Sequence, residues 1–294
     1  MKNKIIQFLP LFVCIVGGYM FALQLLDCQV SGLDGEMKAI FEPLTGHAWW
    51  RAWQNRYLAG IIANAIGYVP FFVFGFIALN IVTYYLYDKN IWIVFAQMGA
   101  FFLMRWVPYW FLGWDLLDIL MMVILLTFIK NKVGLIYYVI LFSVFLFNRE
   151  SAFYIPAYLL LSILFEKKER GWKIFLASLM VMFGIMIIYR LRQNFDYSCV
   201  HWVGLDNDYQ FHNLHGGWEL FVTNVKCFFY VGLSPAIVLG TMLFVKRNAI
   251  GILIWLIWAT LMVFGQINEL RVYLILVPLL IYEFRLQKIY KNNT

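Results

Sequence analysis

Long apolar stretches alternate with short polar links along the whole chain. A membrane-spanning helix needs about 20 mostly apolar residues, and its backbone has to satisfy its own hydrogen bonds because lipid offers no partners. The stretches that meet or approach this length are Ile5 to Leu26, Leu58 to Tyr85, Ile91 to Val107, Trp114 to Ile129, Val133 to Phe147, Ser151 to Phe165, Ile174 to Tyr189, Cys227 to Val245, Ala249 to Gly265 and Val272 to Phe284. The pattern predicts an all-α fold, a polytopic membrane helix bundle of about ten transmembrane helices.

The polar links differ in charge between the two sides of this bundle. Basic residues are retained on the cytoplasmic side of a membrane, and short loops follow this rule best. With the amino terminus inside, the inner links hold 14 of the 23 basic residues and 4 acidic ones, a net charge of +10. The outer side holds 9 basic and 12 acidic residues, a net charge of −3 that completes the overall +7. We therefore expect both termini to be cytoplasmic, in the plasma (inner) membrane if the source is bacterial.

Composition supports the same class of protein. The chain is 63% hydrophobic and only 13% charged, which leaves too little polar surface for a soluble globule. Its basic charge describes topology, so we expect no nucleic-acid partner. The first apolar stretch is expected to be a retained signal anchor. Residues 1–294 form one transmembrane domain, with outer loops at 27–57 and 190–226. Cys28, Cys199 and Cys227 lie at or near the outer face and either remain unpaired as small apolar residues or form one of three disulfide pairings, among which the sequence does not choose.

The first outer loop predicts two short helices that lie in the membrane interface. Apolar or aromatic residues recur at helical spacing in two groups, Met37, Ile40, Phe41 and Leu44, then Trp49, Trp50, Trp53 and Tyr57. Tryptophan and tyrosine favour interfacial depth because each ring is apolar with one polar edge. Asp34 and Glu36 precede the first helix, and Arg56 lies at the end of the second. These charges are either functional, or helix-start acids and an arginine that reaches to headgroups.

Other helix ends on the outer side also carry charges next to apolar sequence. They are Arg105, Asp115 with Asp118, Arg149 with Glu150, and Glu269 with Arg271. Ionisable groups this near to hydrocarbon are costly unless they pair, line a wet cavity or hold a ligand. Pairing of Arg149 with Glu269, or of Arg271 with Glu150, would explain them without a ligand. Asp115 and Asp118 could equally serve as favourable charge at a helix amino end.

A metal site is weakly indicated. Asp206, Asp208, His212 and His215 in the long outer loop offer oxygen and imidazole ligands for a divalent ion. The spacing is nonspecific, and a solvated loop explains these residues better than a metal site does. The sequence contains no Walker, Rossmann or zinc signature. A divalent metal ion therefore stays open as a cofactor, and no other cofactor is expected.

Four segments together resemble a known class of enzyme. They are Asp34-Gly35-Glu36 after the first helix, the two interfacial helices of the first outer loop, Asn148-Arg149-Glu150, and Glu269-Leu270-Arg271-Val272-Tyr273. This arrangement resembles the GT-C class of polyprenyl-phosphate-dependent integral membrane glycosyltransferases, in a short form without a soluble domain. The resemblance implies that Asp34, and second Glu36, is the catalytic base or metal-linked acid. It also implies that Arg56, Arg105, Arg149 and Arg271 bind substrate phosphate, with Glu150, Glu269, Asp115 and Asp118 in support.

The chemistry of these residues is compatible with the reaction that the resemblance implies. Moving a sugar from a lipid phosphate requires a base for the acceptor hydroxyl and positive charge for the departing phosphate. The expected partners are a polyprenyl-phosphate sugar donor, membrane lipids and a glycan, lipid or protein acceptor. A transporter or flippase of lipid-linked or anionic solutes is the first alternative, although it would need more mid-helix charge. A noncatalytic membrane assembly subunit, whose charges only pair with one another, is the second.

Overall fold

The structure is a computed structural model that describes residues 2–28, 44, 56–104, 113–166, 169–193, 242–264 and 270–292. Within these ranges the chain forms ten α-helices and two 3₁₀ segments, and no strand. The α-helices are α1 (Lys2–Cys28), α2 (Tyr57–Ile66), α3 (Tyr68–Leu86), α4 (Ile91–Met104), α5 (Gly113–Asn131), α6 (Leu135–Phe145), α7 (Tyr154–Ser162), α8 (Arg170–Gln193), α9 (Ala249–Phe264) and α10 (Leu276–Asn292). The 3₁₀ segments are Glu150–Phe153 and Leu270–Ile275. The all-α fold is confirmed for this part of the chain.

Helix α5 is the centre of the described part. It packs against α3, α6, α10 and the 3₁₀ segment Leu270–Ile275. A helix that is apolar on nearly every face is expected to be buried on every side, and each residue from Gly113 to Ile119 is buried. The two acids in this stretch, Asp115 and Asp118, therefore lie inside the protein.

Helices α1 and α3 pack with their backbones in close approach. A Cβ atom on Gly18 would lie 2.9 Å from Ile77 Cα, so only glycine allows this spacing. Asn80 Nδ2 donates a hydrogen bond across the same contact to the Cys14 carbonyl at 3.1 Å. These contacts show that a mid-helix polar residue of α3 serves helix packing.

The predicted helix Leu58 to Tyr85 is wrong as a single helix, because Gly67 divides it into α2 and α3. Gly67 has φ of +93°, a conformation that the interior of a right-handed helix does not contain and that L side chains rarely adopt. Its N–H still caps α2 by donating to the Ala63 carbonyl at 2.8 Å. Pro70 follows in the first turn of α3, where its missing N–H costs no helical hydrogen bond.

Two described helices are long and apolar enough to cross a membrane, Tyr68–Leu86 and Arg170–Leu191. The second has large apolar side chains directed away from the protein, with Met182 and Ile185 59% and 60% exposed. Exposed apolar surface of this extent is typical of contact with lipid or with another protein. The expected count of ten spans is not confirmed, and it stays a prediction.

Several helix lengths differ from those expected. The stretch Val133 to Phe147 contains the shorter α6, and the stretch Ser151 to Phe165 contains a 3₁₀ segment followed by the nine-residue α7. Helix α8 is longer than predicted, with 24 residues. Most of the predicted span Cys227 to Val245 lies outside the described residues.

Candidate functional site at the amino end of the central helix

Two buried carboxylates mark the amino end of α5. Asp115 and Asp118 are only 3% and 4% exposed, and Asp115 lies in the first turn. Acids are favourable there because the free N–H groups and the helix dipole carry partial positive charge. Residues three positions apart share one face of a helix, so both carboxylates can bind the same partner.

Arg149 is that partner. Its Nη1 lies 3.1 Å from Asp115 Oδ1 and 3.5 Å from Asp118 Oδ2. The residue is extended, with φ of −168° and ψ of 163°, and the 3₁₀ segment that begins at Glu150 follows it directly. The Arg149 side chain remains 21% exposed although both acids are nearly inaccessible. The Arg149 side chain thus contacts two buried acids while part of it remains accessible at the surface.

The residues on either side of Arg149 complete the contacts of Asp118. Asn148 Nδ2 donates to Asp118 Oδ1 at 2.8 Å and to the Trp114 carbonyl at 3.0 Å. Ser151 Oγ donates to the same Asp118 Oδ1 at 2.6 Å. Asn148 Oδ1 is buried and has no hydrogen-bond partner within the described part of the chain. We call Asp115, Asp118, Asn148, Arg149 and Ser151 the acid–arginine cluster.

Arg56 lies beside this cluster. Its guanidinium carbon is 4.6 Å from the centroid of the Trp114 ring, and the residue is only 6% exposed. A guanidinium group over an indole face gains cation–π attraction, which strengthens where water is excluded. The Leu58 N–H donates to the Phe147 carbonyl at 2.8 Å and fixes the start of α2 against the turn that leads to Arg149. Two arginines from distant parts of the sequence therefore meet at one helix end.

The structure brings together four of the predicted site residues, Arg56, Asp115, Asp118 and Arg149. Glu150 directly follows this group in the chain. Arg271 belongs to the 3₁₀ segment Leu270–Ile275, which packs against α5, but its side chain is outside the description. The predictions for Asp34, Glu36, Arg105 and Glu269 fall outside the described residues. The expected pairs Arg149–Glu269 and Arg271–Glu150 therefore stay predictions, beside the observed pairing of Arg149 with the two α5 acids.

Sequence reasoning missed the roles of Asn148 and Ser151. Both are common polar residues, and nothing in their spacing identifies an acceptor on another helix. The available signal is the run Asn148-Arg149-Glu150-Ser151 itself, because it places three side-chain donors between two apolar stretches. Buried donors require acceptors, so such a run predicts a buried acid nearby.

No metal centre is formed by the described residues, among which no three His, Cys, Asp or Glu side chains are grouped closely enough to hold an ion. The two carboxylates of the acid–arginine cluster share a guanidinium group instead. The loop candidates Asp206, Asp208, His212 and His215 lie outside the described residues, so the prediction of a divalent ion stays open.

A second charged group lies at the other end of α5. Lys130 Nζ donates to the Leu86 carbonyl and to Asp88 Oδ1, each at 2.5 Å. Arg285 donates to the Tyr87 carbonyl at 2.6 Å and to Asp88 Oδ2 at 3.1 Å. The Lys130 hydrogen bond, with the Lys130 and Arg285 charges, holds the pKa of Asp88 below its ordinary value. We call Asp88, Lys130 and Arg285 the basic clamp, which covers the last carbonyls of α3 and joins α3, α5 and α10.

Asn248 links α9 to α10 near the same end. Its Oδ1 accepts the Gly251 N–H at 2.7 Å and caps the first turn of α9. Its Nδ2 lies 3.0 Å from both carboxylate oxygens of Glu283, which is only 1% exposed. One amide side chain thus both caps a helix and binds a buried acid.

Comparison with known proteins gives no relative from which to transfer a role, because no known protein family, curated protein or solved structure matches the chain. The chemistry of the site therefore has to be argued from its own side chains. Two arginines held near buried acids can bind an oxyanion, since guanidinium N–H groups match the geometry of carboxylate and phosphate oxygens.

Proposed function

We propose that the chain is a membrane glycosyltransferase of the extracytoplasmic face. It takes a sugar from a polyprenyl-phosphate carrier and adds it to a surface glycan, a lipid or a protein. The observation that carries the proposal is the meeting of Arg56 and Arg149 beside two buried carboxylates at the amino end of α5. The exposed apolar face of α8 supports a location in lipid, where the donor's isoprenoid chain would also remain.

The proposed roles follow from charge and geometry. Arg56 and Arg149, with Arg105 and Arg271, bind the donor phosphate. Asp115 and Asp118 hold Arg149 in place, since a buried guanidinium group without a counter-charge would be strongly unfavourable. Glu150 directly follows Arg149 in the sequence, and Glu269 lies two residues before Arg271. Both acids support these arginines.

Asp34 is the first-choice catalytic base, and Glu36 the second. In the reaction the base accepts the proton of the acceptor hydroxyl, and the hydroxyl oxygen bonds to the anomeric carbon. The bond between that carbon and the phosphate oxygen breaks, and its electron pair leaves with the polyprenyl phosphate. Arginines stabilise the departing phosphate because they place fixed positive charge where negative charge develops.

The first experiment tests the base. Purified protein in proteoliposomes is supplied with a panel of polyprenyl-phosphate hexoses and pentoses and with a membrane extract as acceptor. We expect Asp34→Asn to abolish sugar transfer while the protein stays inserted and elutes as a single species. Normal transfer by this variant would move the role to Glu36, and normal transfer by Asp34→Asn/Glu36→Gln would refute a base in this segment.

The second experiment tests the phosphate site. Arg149→Lys keeps the positive charge but loses the planar fork, so we expect kcat/KM to fall on the order of 100-fold. Arg247→Lys is the matched control, because Arg247 is exposed near the opposite end of the bundle and should retain full activity. Equal activity of the two variants would remove Arg149 from the site.

A transporter or flippase would use the same arginines, and it is the main alternative. Two mid-helix polar residues of the described part, Asn80 and Gln97, are engaged in helix packing. Gln97 Nε2 donates to Thr83 Oγ1 at 3.0 Å, and Asn80 binds the backbone of α1. Movement of polyprenyl phosphate across the proteoliposome membrane, without any glycosidic product, would favour the transporter over the enzyme.

A further inference from the structure

The helices that connect the acid–arginine cluster to the opposite end of the protein are short. Asp118 and Lys130 are twelve positions apart in α5, α6 has 11 residues, and α7 has nine residues after a four-residue 3₁₀ segment. In contrast, α3 has 19 residues and α8 has 24. The distance from the cluster to the basic clamp is therefore set by three independent short elements.

These lengths convert directly into a depth. At a rise of about 1.5 Å per residue, Asp118 lies roughly 18 Å along the axis from Lys130, and α6 is about 17 Å long. The 3₁₀ segment and α7 together reach about 22 Å if they are collinear. The hydrocarbon core of a bilayer is about 30 Å thick, and helix tilt only shortens the vertical distance.

In the proposed orientation, the basic clamp marks the level of the cytoplasmic boundary. Asp88 is 61% exposed there, and Trp92 on the next helix is 76% exposed. Charged residues beside exposed tryptophan are typical of headgroup depth. Measured from this level, the acid–arginine cluster lies roughly 8–12 Å below the outer edge of the hydrocarbon core.

Acyl chains are an unsuitable neighbour for the exposed part of the cluster. The Arg149 side chain is 21% exposed, and a guanidinium group at that depth is strongly unfavourable in contact with hydrocarbon. Groups of this kind face water or a polar ligand instead. The exposed side of Arg149 therefore opens onto a polar space that reaches below the headgroups.

We propose that the acid–arginine cluster forms the floor of a water-filled recess that opens to the outer face of the membrane. The assignment of its ligand rests on the proposed function: the phosphate-bearing head of a lipid substrate descends into the recess, below the neighbouring headgroups.

The test measures water access from each side by thiol labelling in intact cells. Cys28, Cys199 and Cys227 are replaced by alanine, and the fully buried Cys14 is kept. Glu150→Cys is then labelled from outside with a small charged methanethiosulfonate and, separately, with a long polyethylene-glycol maleimide. Leu160→Cys, on the exposed face of α7, is the lipid-facing control, and Lys132→Cys is the cytoplasmic control.

We expect the small reagent to label Glu150→Cys about tenfold faster than Leu160→Cys, because thiols react as thiolates in water. The large reagent should label Glu150→Cys about tenfold more slowly than the small one, and Lys132→Cys should react only in permeabilised cells. Ser151→Cys, a nearly isosteric change, replaces Glu150→Cys if that variant does not elute as a single species.

Equal labelling by both reagents would place the cluster at the surface, and labelling by neither would show a dry ion pair. Either result overturns the recess. Labelling needs no substrate, so it is separate from the transfer assay: a labelled recess without sugar transfer would remove the enzyme and keep the recess.

Discussion

The contact between Ser151 and Asp118 gives the sharpest prediction about the acid–arginine cluster. The oxygens are 2.6 Å apart, and the residues are only 8% and 4% exposed. A hydrogen bond to a charged group contributes about 1.5–3 kcal/mol, so Ser151→Ala should lower the free energy of unfolding by that amount. Asp118→Ala also removes the acceptor of Asn148 and one of the two acid partners of Arg149; the bonds from Ser151 and Asn148 alone amount to about 3–6 kcal/mol.

The double variant separates this contact from general disruption. Once Asp118 is alanine, the serine hydroxyl has no charged acceptor there, so Ser151→Ala should cost little more. The coupling energy of the cycle should then be about 1.5–3 kcal/mol. The matched control cycle combines Asp118→Ala with Thr127→Ala. Thr127 Oγ1 donates to the Val123 carbonyl of its own helix and lies roughly 13 Å along α5 from Asp118, so the two losses of stability should be additive.

Reversible unfolding in mixed detergent micelles, followed by circular dichroism during titration with sodium dodecyl sulfate, measures these free energies. Refolding from the denaturing detergent is the control for reversibility. A coupling below about 0.5 kcal/mol for Asp118 and Ser151, equal to that for Asp118 and Thr127, would refute the short hydrogen bond as a stabilising contact.

Two further predictions concern the opposite end of the protein. The pKa of Asp88 is lowered from 3.8, so its stabilisation is present above that value and is lost as the pH falls through the folded pKa below it. The free energy of unfolding of the wild type should therefore decrease as the pH falls below 3.8. Asp88→Asn lacks this stabilisation already at neutral pH, so its stability should change less over the same range, and a pH series of the detergent titration checks this. Asn248→Ala removes the α9 cap, worth about 0.5–2 kcal/mol, and the donor to buried Glu283, worth about 1.5–3 kcal/mol. The same titration should show a loss of about 2–5 kcal/mol against almost none for the exposed control Arg247→Ala, and equal values would contradict the double role of Asn248.

The sequence predicted the helical class and the positions of several charged helix ends, because both follow from local pattern. Asp115, Asp118, Arg149 and Arg56 were recognised as charges close to apolar sequence, where they need a compensating partner. Which charge meets which could not be predicted, since the pairs join residues from different helices. The acid partners of Arg149 come from α5, about 30 residues earlier in the chain.

The break at Gly67 shows a different limit of sequence reasoning. Residues on both sides are apolar, so hydrophobic periodicity continues through the break and predicts one helix. The local signal was Gly67 followed three residues later by Pro70, a combination that ends one helix and starts another. Apolar stretches of about 15 residues indicated that α6 and α7 are short. The depth of the acid–arginine cluster could not be predicted from these lengths alone, because it also depends on how the helices pack.

The burial of α5 also has a consequence for how the protein is made. This helix carries Asp115 in its first turn, Asp118 one turn further in and Lys130 in its last turn, and a charged residue in a nascent segment opposes lateral release into lipid by up to about 2.5–3.5 kcal/mol, the value for the centre of the segment. The partner Arg149 follows α5 and α6 in the sequence, so it is synthesised after both of them. In the proposed membrane setting, we therefore expect α5 to stay beside α3 at the translocation channel until Arg149 has been synthesised. The segment up to Ser151 is then the smallest one in which the two acids of α5 already have their arginine.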